Sequence, residues 1–294
     1  MRERVWVVGA GDGATVEAIV ARAGGDERAI AQGRVFIGRR RARPHDAVAV
    51  GDQVRVVAPS EAAPAVRVIA FERGVLAVDK PAGIPTIPDE RSSAGSLLDL
   101  AAREASIARE ALHPTSRLDR NVSGVVVFAT TPAARERLQN ARESAHYFRR
   151  YVALAARAPA PREGEWNAPI GRARDPKKRA ANGRDAVPAL TRYRLVAEVA
   201  GAALLALDPL TGRTHQIRVH AAHAGAPLLG DRDYGGPRSL VLPSGEVIAL
   251  ERIALHCARV RVDDLELSSP IPELLRGWWT ALGGDESEWH SALL

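Results

Sequence analysis

Cysteine is almost absent from this sequence, with Cys257 alone among 294 residues. A single thiol excludes an intramolecular disulfide and a thiolate zinc site, and leaves Cys257 the role of a small core filler. Long apolar runs are also missing. No stretch approaches the roughly 20 residues that cross a bilayer. The patch Val5 to Val8 is shorter than the about 7 to 15 residues of a signal-peptide core. The expectation is therefore a cytoplasmic protein without a membrane segment. Lysine is scarce too, occurring only at Lys80, Lys177 and Lys178. Arginine takes its place and suits forked contacts to phosphate, but GC-rich coding gives the same bias, so the preference carries little weight. There is no internal repeat.

What is present is ordinary for a globular chain: 46% hydrophobic and 26% charged residues. A formal charge of +6 and a pI near 10.0 favour a polyanionic partner, without bearing on fold. The length suggests one large and one small domain. Val5 to Val57 reads as the small one. Val16, Ile19, Val20 and Ala23 fall at helical spacing, Gly24 and Gly25 end that helix, and Gly33 introduces a strand over Arg34 to Ile37. A second strand follows at Gln53 to Val57. Ala58 to Pro64 has the composition of a linker. The expected division is 1–58, a linker at 59–67, and a large domain over 68–294.

Beyond Val66 many short strands alternate with helices. Gly74 to Asp79, Gly124 to Ala129, Tyr151 to Ala155, Leu190 to Val196 and Ala202 to Asp208 read as strands. Thr131-Pro132 opens a helix with the stripe Ala134, Leu138, Ala141, Ala145 and Phe148. This order predicts an α+β domain on a large mixed, mainly antiparallel sheet with flanking helices.

Three segments carry chemistry: Val78-Asp79-Lys80-Pro81-Ala82-Gly83-Ile84-Pro85, Ser116-Arg117-Leu118-Asp119-Arg120-Asn121-Val122-Ser123-Gly124, and Gly212-Arg213-Thr214-His215-Gln216-Ile217-Arg218-Val219-His220. In order and spacing they resemble the RluA family of pseudouridine synthases. The likeness runs from about Phe71 to Arg261, through Tyr151, Gly230-Asp231, Tyr234-Gly235 and Leu255-His256. The N-terminal unit resembles an S4 RNA-binding module through Gly33-Arg34-Val35-Phe36-Ile37, the basic Arg39 to Arg43 and Gly51-Asp52-Gln53-Val54. The resemblance implies a pseudouridine synthase fold and an enzyme that isomerises uridines within ribosomal or transfer RNA. It also implies that Asp119 is the nucleophile, that Arg218 pairs with it, that Tyr151 packs on the target uracil and that Leu255 lines the pocket. Substrate and product are isomers, so no cofactor is expected. Neither is a metal. A monomer is expected, with RNA as its partner.

The residues can also be weighed by themselves. A carboxylate is already ionised at neutral pH, so Asp119 as a nucleophile needs positioning more than a base. It reads equally as a turn residue accepting backbone hydrogen bonds. Arg218, about one turn into a helix starting near Thr214, opposes the helix dipole, and an anionic partner would compensate it. Tyr151 alternates with Val152 and Leu154, so its ring faces the other side of its strand. Arg117, Arg213 and His215 flank these residues as candidate substrate contacts. Lys80 reads as either an RNA contact or a support. Arg172, Lys177 and Lys178 lie in a basic loop suited to phosphate. Asp119 either attacks the uracil ring or assists departure of the base; the sequence leaves both open. Two departures from the family pattern, Ser116 for a histidine and Val122 for a threonine, flank the nucleophile.

Three other readings are weaker. Gly9-Ala10-Gly11-Asp12-Gly13-Ala14 imitates a dinucleotide fingerprint, but the acidic residue expected about 20 positions on is missing. His215, His220 and His223 share a helix, though imidazoles without carboxylates or thiolates make poor metal sites. A protein that holds RNA through its S4-like unit without modifying it is the competing functional class.

Overall fold

The computed structural model describes residues 4–22, 28–31, 35–38, 40–56, 66–88, 95–144 and 146–294. The chain divides into two compact units, Met1–Ala65 with Asp89–Gly95, and Val66–Pro88 with Ser96–Leu294. Ala23, Gly24, Gly25, Gly33, Arg34, Arg39, Val57 to Pro64 and Ala145, all used above, lie outside the described residues.

In the first unit β1 (Arg4–Val7), α1 (Val16–Arg22), α2 (Arg28–Ala31), β2 (Val35–Ile37), β3 (Arg40–Arg41) and β4 (Gln53–Val56) build a sheet of order β1-β4-β2-β3. Every pairing is antiparallel. Val16, Ile19 and Val20 are buried at the helical spacing the sequence shows, against Val8, Val35 and Val54. The dinucleotide decoy is settled by this topology, because that fingerprint needs a parallel βαβ unit and β1 pairs antiparallel with β4. The glycines form a turn instead, with Gly11 and Gly13 at positive φ and the Asp12 carboxylate accepting the Gly9 N–H at 2.6 Å.

The second unit contains β5 (Arg67–Glu72), β6 (Val75–Lys80), α3 (Leu97–Glu104), β7 (His113–Pro114), β8 (Ser123–Ala129), α4 (Pro132–Glu143), β9 (Tyr147–Ala155) and β10 (Glu163–Trp166). Next come β11 (Ile170–Arg172), β12 (Arg179–Ala181), β13 (Arg184–Val187), β14 (Thr191–Val199), β15 (Ala202–Pro209) and α5 (Gln216–His223). The chain continues with β16 (Ser239–Val241), β17 (Val247–Ala249), β18 (Leu255–Val262), β19 (Leu265–Ser268), α6 (Glu273–Ala281) and α7 (Ser287–Leu293). Ten strands form one sheet of order β10-β14-β15-β9-β18-β8-β6-β5, with β19 on β18 and β7 on β8. The pairing of β18 with β8 is parallel, and its neighbours are antiparallel. This is the α+β architecture the sequence predicts.

Period-two alternation sorts the side chains into two apolar layers. Tyr151, Ala153 and Ala155 face the layer completed by Leu97 and Leu138 of α3 and α4, whereas Val152 and Leu154 face Trp278, Trp279 and Trp289 of α6 and α7. No helix among the described residues is long and apolar enough to cross a membrane.

Two local expectations are corrected. The helix after Thr131 is capped as expected, with the Thr131 hydroxyl accepting the Ala134 N–H, but it stops at Glu143, and Phe148 belongs to β9. Pairing of Phe148 with Arg261 of β18 overrides the helical periodicity. The basic loop also contains a small sheet, β12-β11-β13.

The parallel pair sits near the middle of the sheet, with His256 opposite Ser123 and Cys257 opposite Gly124. Gly124 has φ 116°, and any Cβ there would run into the Cys257 carbonyl. The two strands therefore start side by side. The Asp119 turn feeds one and Leu255 opens the other.

Candidate active site

The turn carrying Asp119 is fixed from three directions. Its backbone closes through the Val122 N–H donating to the Asp119 carbonyl at 3.0 Å. Thr86 brackets Leu118, donating to its carbonyl at 2.9 Å and accepting its N–H at 3.1 Å. From below, the Lys80 ammonium donates to the carbonyls of Pro81, Arg120 and Val122 at 3.0, 3.0 and 2.7 Å. The main chain satisfies itself here and leaves the carboxylate to act elsewhere, which removes the reading of Asp119 as a self-capping turn residue.

That carboxylate meets Arg218. Nη1 of Arg218 donates to Oδ2 of Asp119 at 3.0 Å. The guanidinium is 5% exposed and the carboxylate 27%, so the pair has a dry half and an accessible half. Arg218 lies in the first turn of α5, where the helix dipole disfavours a cation. The compensation is larger than the sequence suggests. Asp231, fully buried, takes Nε and Nη2 at 2.8 Å each, and Asp233 accepts from Nη2 at 3.1 Å. Burial disfavours the charge, yet the hydrogen bonds and charge of Asp231, aided by Asp119, hold the guanidinium protonated beyond its usual range. The Tyr234 ring lies under it, 4.8 Å from Cζ to the centroid.

A cleft with about 470 Å³ of empty space opens beside this pair, lined by Asp119, Arg218, Tyr151, Leu255, Arg117, Arg213 and His215, among others. These are seven of the predicted site residues. Its apolar wall is Leu255, Ile217 and Val122. Tyr151 lends its ring to the same space, and burial, then Cys257, raises its hydroxyl pKa well above the ordinary value. The loop between β15 and α5 forms the opposite wall and is stapled by Gln216. Gln216 Oε1 accepts from Thr211 Oγ1 and the Arg213 N–H, and Nε2 donates to the Leu190 carbonyl and Thr191 Oγ1. His215 turns into α5 at φ 58°, with Nδ1 2.7 Å from the Tyr234 hydroxyl and Nε2 3.9 Å from Asp119. Burial lowers its pKa.

Sequence reasoning missed Arg149, Asp231 and Asp233. Arg149 of β9 lines the cleft and donates to the Pro209 and Thr211 carbonyls at 2.9 and 2.8 Å, fixing that wall. An arginine in a strand looks like surface, and nothing in its neighbours signals otherwise. Asp231 was visible only as part of a Gly-Asp pair.

Lys80 is a correction. It is fully buried and outside the cleft lining, with its ammonium spent on three carbonyls, so it supports the Asp119 turn and cannot touch RNA. Burial, then the charge of Arg252, pushes its pKa down to about 7. Arg172, Lys177 and Lys178 also lie away from the cleft lining; Arg172 and Lys177 are exposed. Lys178 reaches the Asp233 carbonyl at 3.1 Å. His220 cannot serve a metal as it stands, since Nδ1 meets Thr191 Oγ1 and Nε2 the Ala168 carbonyl, both at 2.9 Å. The two departures beside Asp119 are quietly structural. The Ser116 hydroxyl accepts the Val127 N–H, and Val122 is buried in the wall.

Beneath the cleft runs a polar chain. Arg252 donates to the Ser123 hydroxyl at 2.7 Å, Ser123 lies 2.8 Å from His256 Nδ1, and His256 Nε2 faces the Ser269 carbonyl at 3.4 Å. With Ser123 accepting from Arg252, its own proton goes to Nδ1, which makes His256 the neutral Nε2–H form. Burial pushes its pKa down to about 4 from 6.5. Between those values the unfolded chain binds a proton that the folded chain refuses, so stability rises with pH there and is lost on acidification. The expected loss is about 3 kcal/mol between pH 6.5 and 4. Thermal melts across that window would read it, and His256→Asn should flatten the slope; an equal slope in both proteins would remove His256 as its source.

Comparisons with known proteins define the family. The sequence profile of the family described as RNA pseudouridylate synthase matches residues 74–223. Over 283 residues the chain is 34% identical to ribosomal large subunit pseudouridine synthase D of Xanthomonas campestris, covering 88% of this chain and 84% of that one. It is 37% identical over 191 residues to the uncharacterized RNA pseudouridine synthase YhcT of Bacillus subtilis, covering 64% and 60%. The solved structure of human RNA pseudouridylate synthase domain containing 4 superposes with a TM-score of 0.60 at 23% identity, over 74% of this chain and 92% of that one, a likeness of fold. The chain belongs to the RNA pseudouridylate synthase family, in its RluA branch, and is an RNA pseudouridine synthase.

Proposed function

We propose that this enzyme converts uridines of large-subunit ribosomal RNA to pseudouridine in the cytoplasm, acting as a monomer with Asp119 as nucleophile. The observation that carries the assignment of Asp119 is its 27% exposed carboxylate, held at 3.0 Å by the buried Arg218 at the mouth of a cleft that Tyr151 and Leu255 also line. The choice of RNA follows the Xanthomonas relative, a ribosomal large subunit pseudouridine synthase. In the reaction the bond from the ribose to N1 breaks, the uracil turns, and a bond to C5 forms, with C5 losing a proton and N1 gaining one. The target must first leave its stack, at a cost of a few kcal/mol that is smallest in loops and bulges. Tyr151 replaces the lost stacking, Leu255 and Val122 exclude water from one side, and Arg218 keeps Asp119 aimed at the ring or sugar. Mapping pseudouridines in the ribosomal RNA of cells lacking the protein tests the target. One or a few sites should disappear, and an unchanged ribosomal map would refute that choice of RNA.

Affinity for the rest of the RNA comes from basic surface. Arg172 and Lys177 are exposed at the β11 to β13 sheet, and Arg40 and Arg41 project from the β2–β3 hairpin of the first unit, which we read as an S4-like RNA-binding module over 1–58, joined by a linker at 59–67 to the catalytic domain over 68–294. Phosphate contacts release counterions, so binding weakens with salt. Replacing Arg172 and Lys177 by alanine should raise KM, leave kcat unchanged, and reduce the salt slope by about one per lost contact. Binding titrations at several salt concentrations check this, and an unchanged slope would remove both residues from the interface.

A further inference from the structure

We propose that Asp231, assisted by Asp233, is a positioning residue that sets both the direction and the effective charge of Arg218. The inference rests on the reading of Asp119 as nucleophile and Arg218 as its partner.

A guanidinium offers two edges to carboxylates, and its plane follows whichever partner binds in two-pronged fashion. Here that partner is Asp231, which takes Nε and Nη2 together, whereas Asp119 receives a single bond from Nη1. Asp231 therefore decides where Nη1 points. Its own place is determined by main chain. The Asp231 N–H donates to the Leu228 carbonyl, and the Asp231 carbonyl accepts from Tyr234 and Gly236. Gly230, at φ 75°, lies so close to the Arg252 carbonyl that no side chain fits there. The clamp is thus built on a turn that cannot drift, with its carboxylate 1% exposed.

The second consequence is electrostatic. One cation faces three carboxylates, and the buried one neutralises it most completely. Asp119 is thus oriented by a group whose charge the buried Asp231 offsets, and a nucleophile must keep its electron pair available. The other groups facing this pair are His215 on α5, Tyr234 beside Asp233, Lys178 at 3.7 Å from Asp233, Arg179 on β12, and Lys80 beneath the Asp119 turn. Asp231 and Asp233 are the anions among them that offset Arg218.

Removing a counter-anion should therefore tighten the hold of Arg218 on Asp119. For Asp231→Asn the expected result is a kcat lower by about 100-fold, from misdirection of the pair. RNA KM should stay within about twofold, and the acid limb of the rate profile should move to lower pH by about one unit. A merely structural role would not move that limb. Asp233→Asn, at a 55% exposed carboxylate, should leave the melting temperature unchanged and displace the limb in the same direction by less. It serves as the decisive variant if Asp231→Asn does not fold. A fixed limb in the folded Asp231→Asn protein, or in Asp233→Asn when only that variant folds, overturns the proposal. Asp119→Asn, run alongside, keeps the two ideas apart: if it remains active the nucleophile assignment fails, and if it is dead while the limb stays fixed only the clamp fails.

Discussion

Asp119→Asn is expected to lower pseudouridine formation by at least about 10⁴-fold while RNA affinity stays nearly constant. The substitution is isosteric. Its amide oxygen can still accept from Arg218 Nη1, now at 3.0 Å from the carboxylate, so the turn and the cleft keep their shape. What disappears is the negative charge on which the proposed role of Asp119 depends. On the proposed interface, affinity comes from phosphate contacts distributed over the basic surface, which loss of one anion can only improve slightly. A single-turnover assay on ribosomal RNA together with a filter-binding titration separates the two quantities. If wild type forms no pseudouridine on ribosomal RNA while binding it, the choice of ribosomal RNA as substrate fails. If the asparagine variant stays active, another group supplies the nucleophile.

Arg218→Ala should damage both folding and catalysis. It strands Asp231, whose carboxylate is 1% exposed and directs both oxygens at the guanidinium. Leaving one member of a buried pair without its partner costs about 3 to 5 kcal/mol, which for a unit of this size lowers Tm by about 10 °C. Arg218→Lys should recover little, because an ammonium is a point donor and cannot bind Asp231 in two-pronged fashion while still reaching Asp119. Calorimetry of the three proteins reads the effect. A melting temperature for the alanine variant within about 2 °C of wild type would mean the buried carboxylate finds another countercharge.

Much of this site was legible because its chemistry is concentrated in short contiguous segments. The segments around Asp119, Tyr151 and Arg218 stood out through their resemblance to the RluA family; weighed alone, Asp119 left the role of a turn residue open, while the helix-dipole argument called for an anion beside Arg218. It did not say how many. Asp231 and Asp233 follow α5 in an irregular stretch where no periodicity indicates direction, so their convergence on one guanidinium is a property of the folded chain alone. Lys80 stood between support and RNA contact in the sequence, and only the fold, by converging three carbonyls on it, decides for support. The α4 overshoot to Phe148 shows strand pairing winning over an apolar stripe that happened to continue in helical register. Alternation was the more dependable guide, since it placed Tyr151 and Val152 on opposite layers.

The side-by-side start of β8 and β18 bears on attempts to redirect this enzyme. The spacing between the Asp119 turn and Leu255 is dictated by two backbones in contact at Gly124 and Cys257, not by how large the lining side chains are. Trimming Leu255 or Val122 would deepen the recess without widening its entrance. A bulkier nucleobase would thus be admitted only by redesign of the sheet itself, and enlarging it residue by residue should yield slower uridine enzymes before it yields enzymes for anything else.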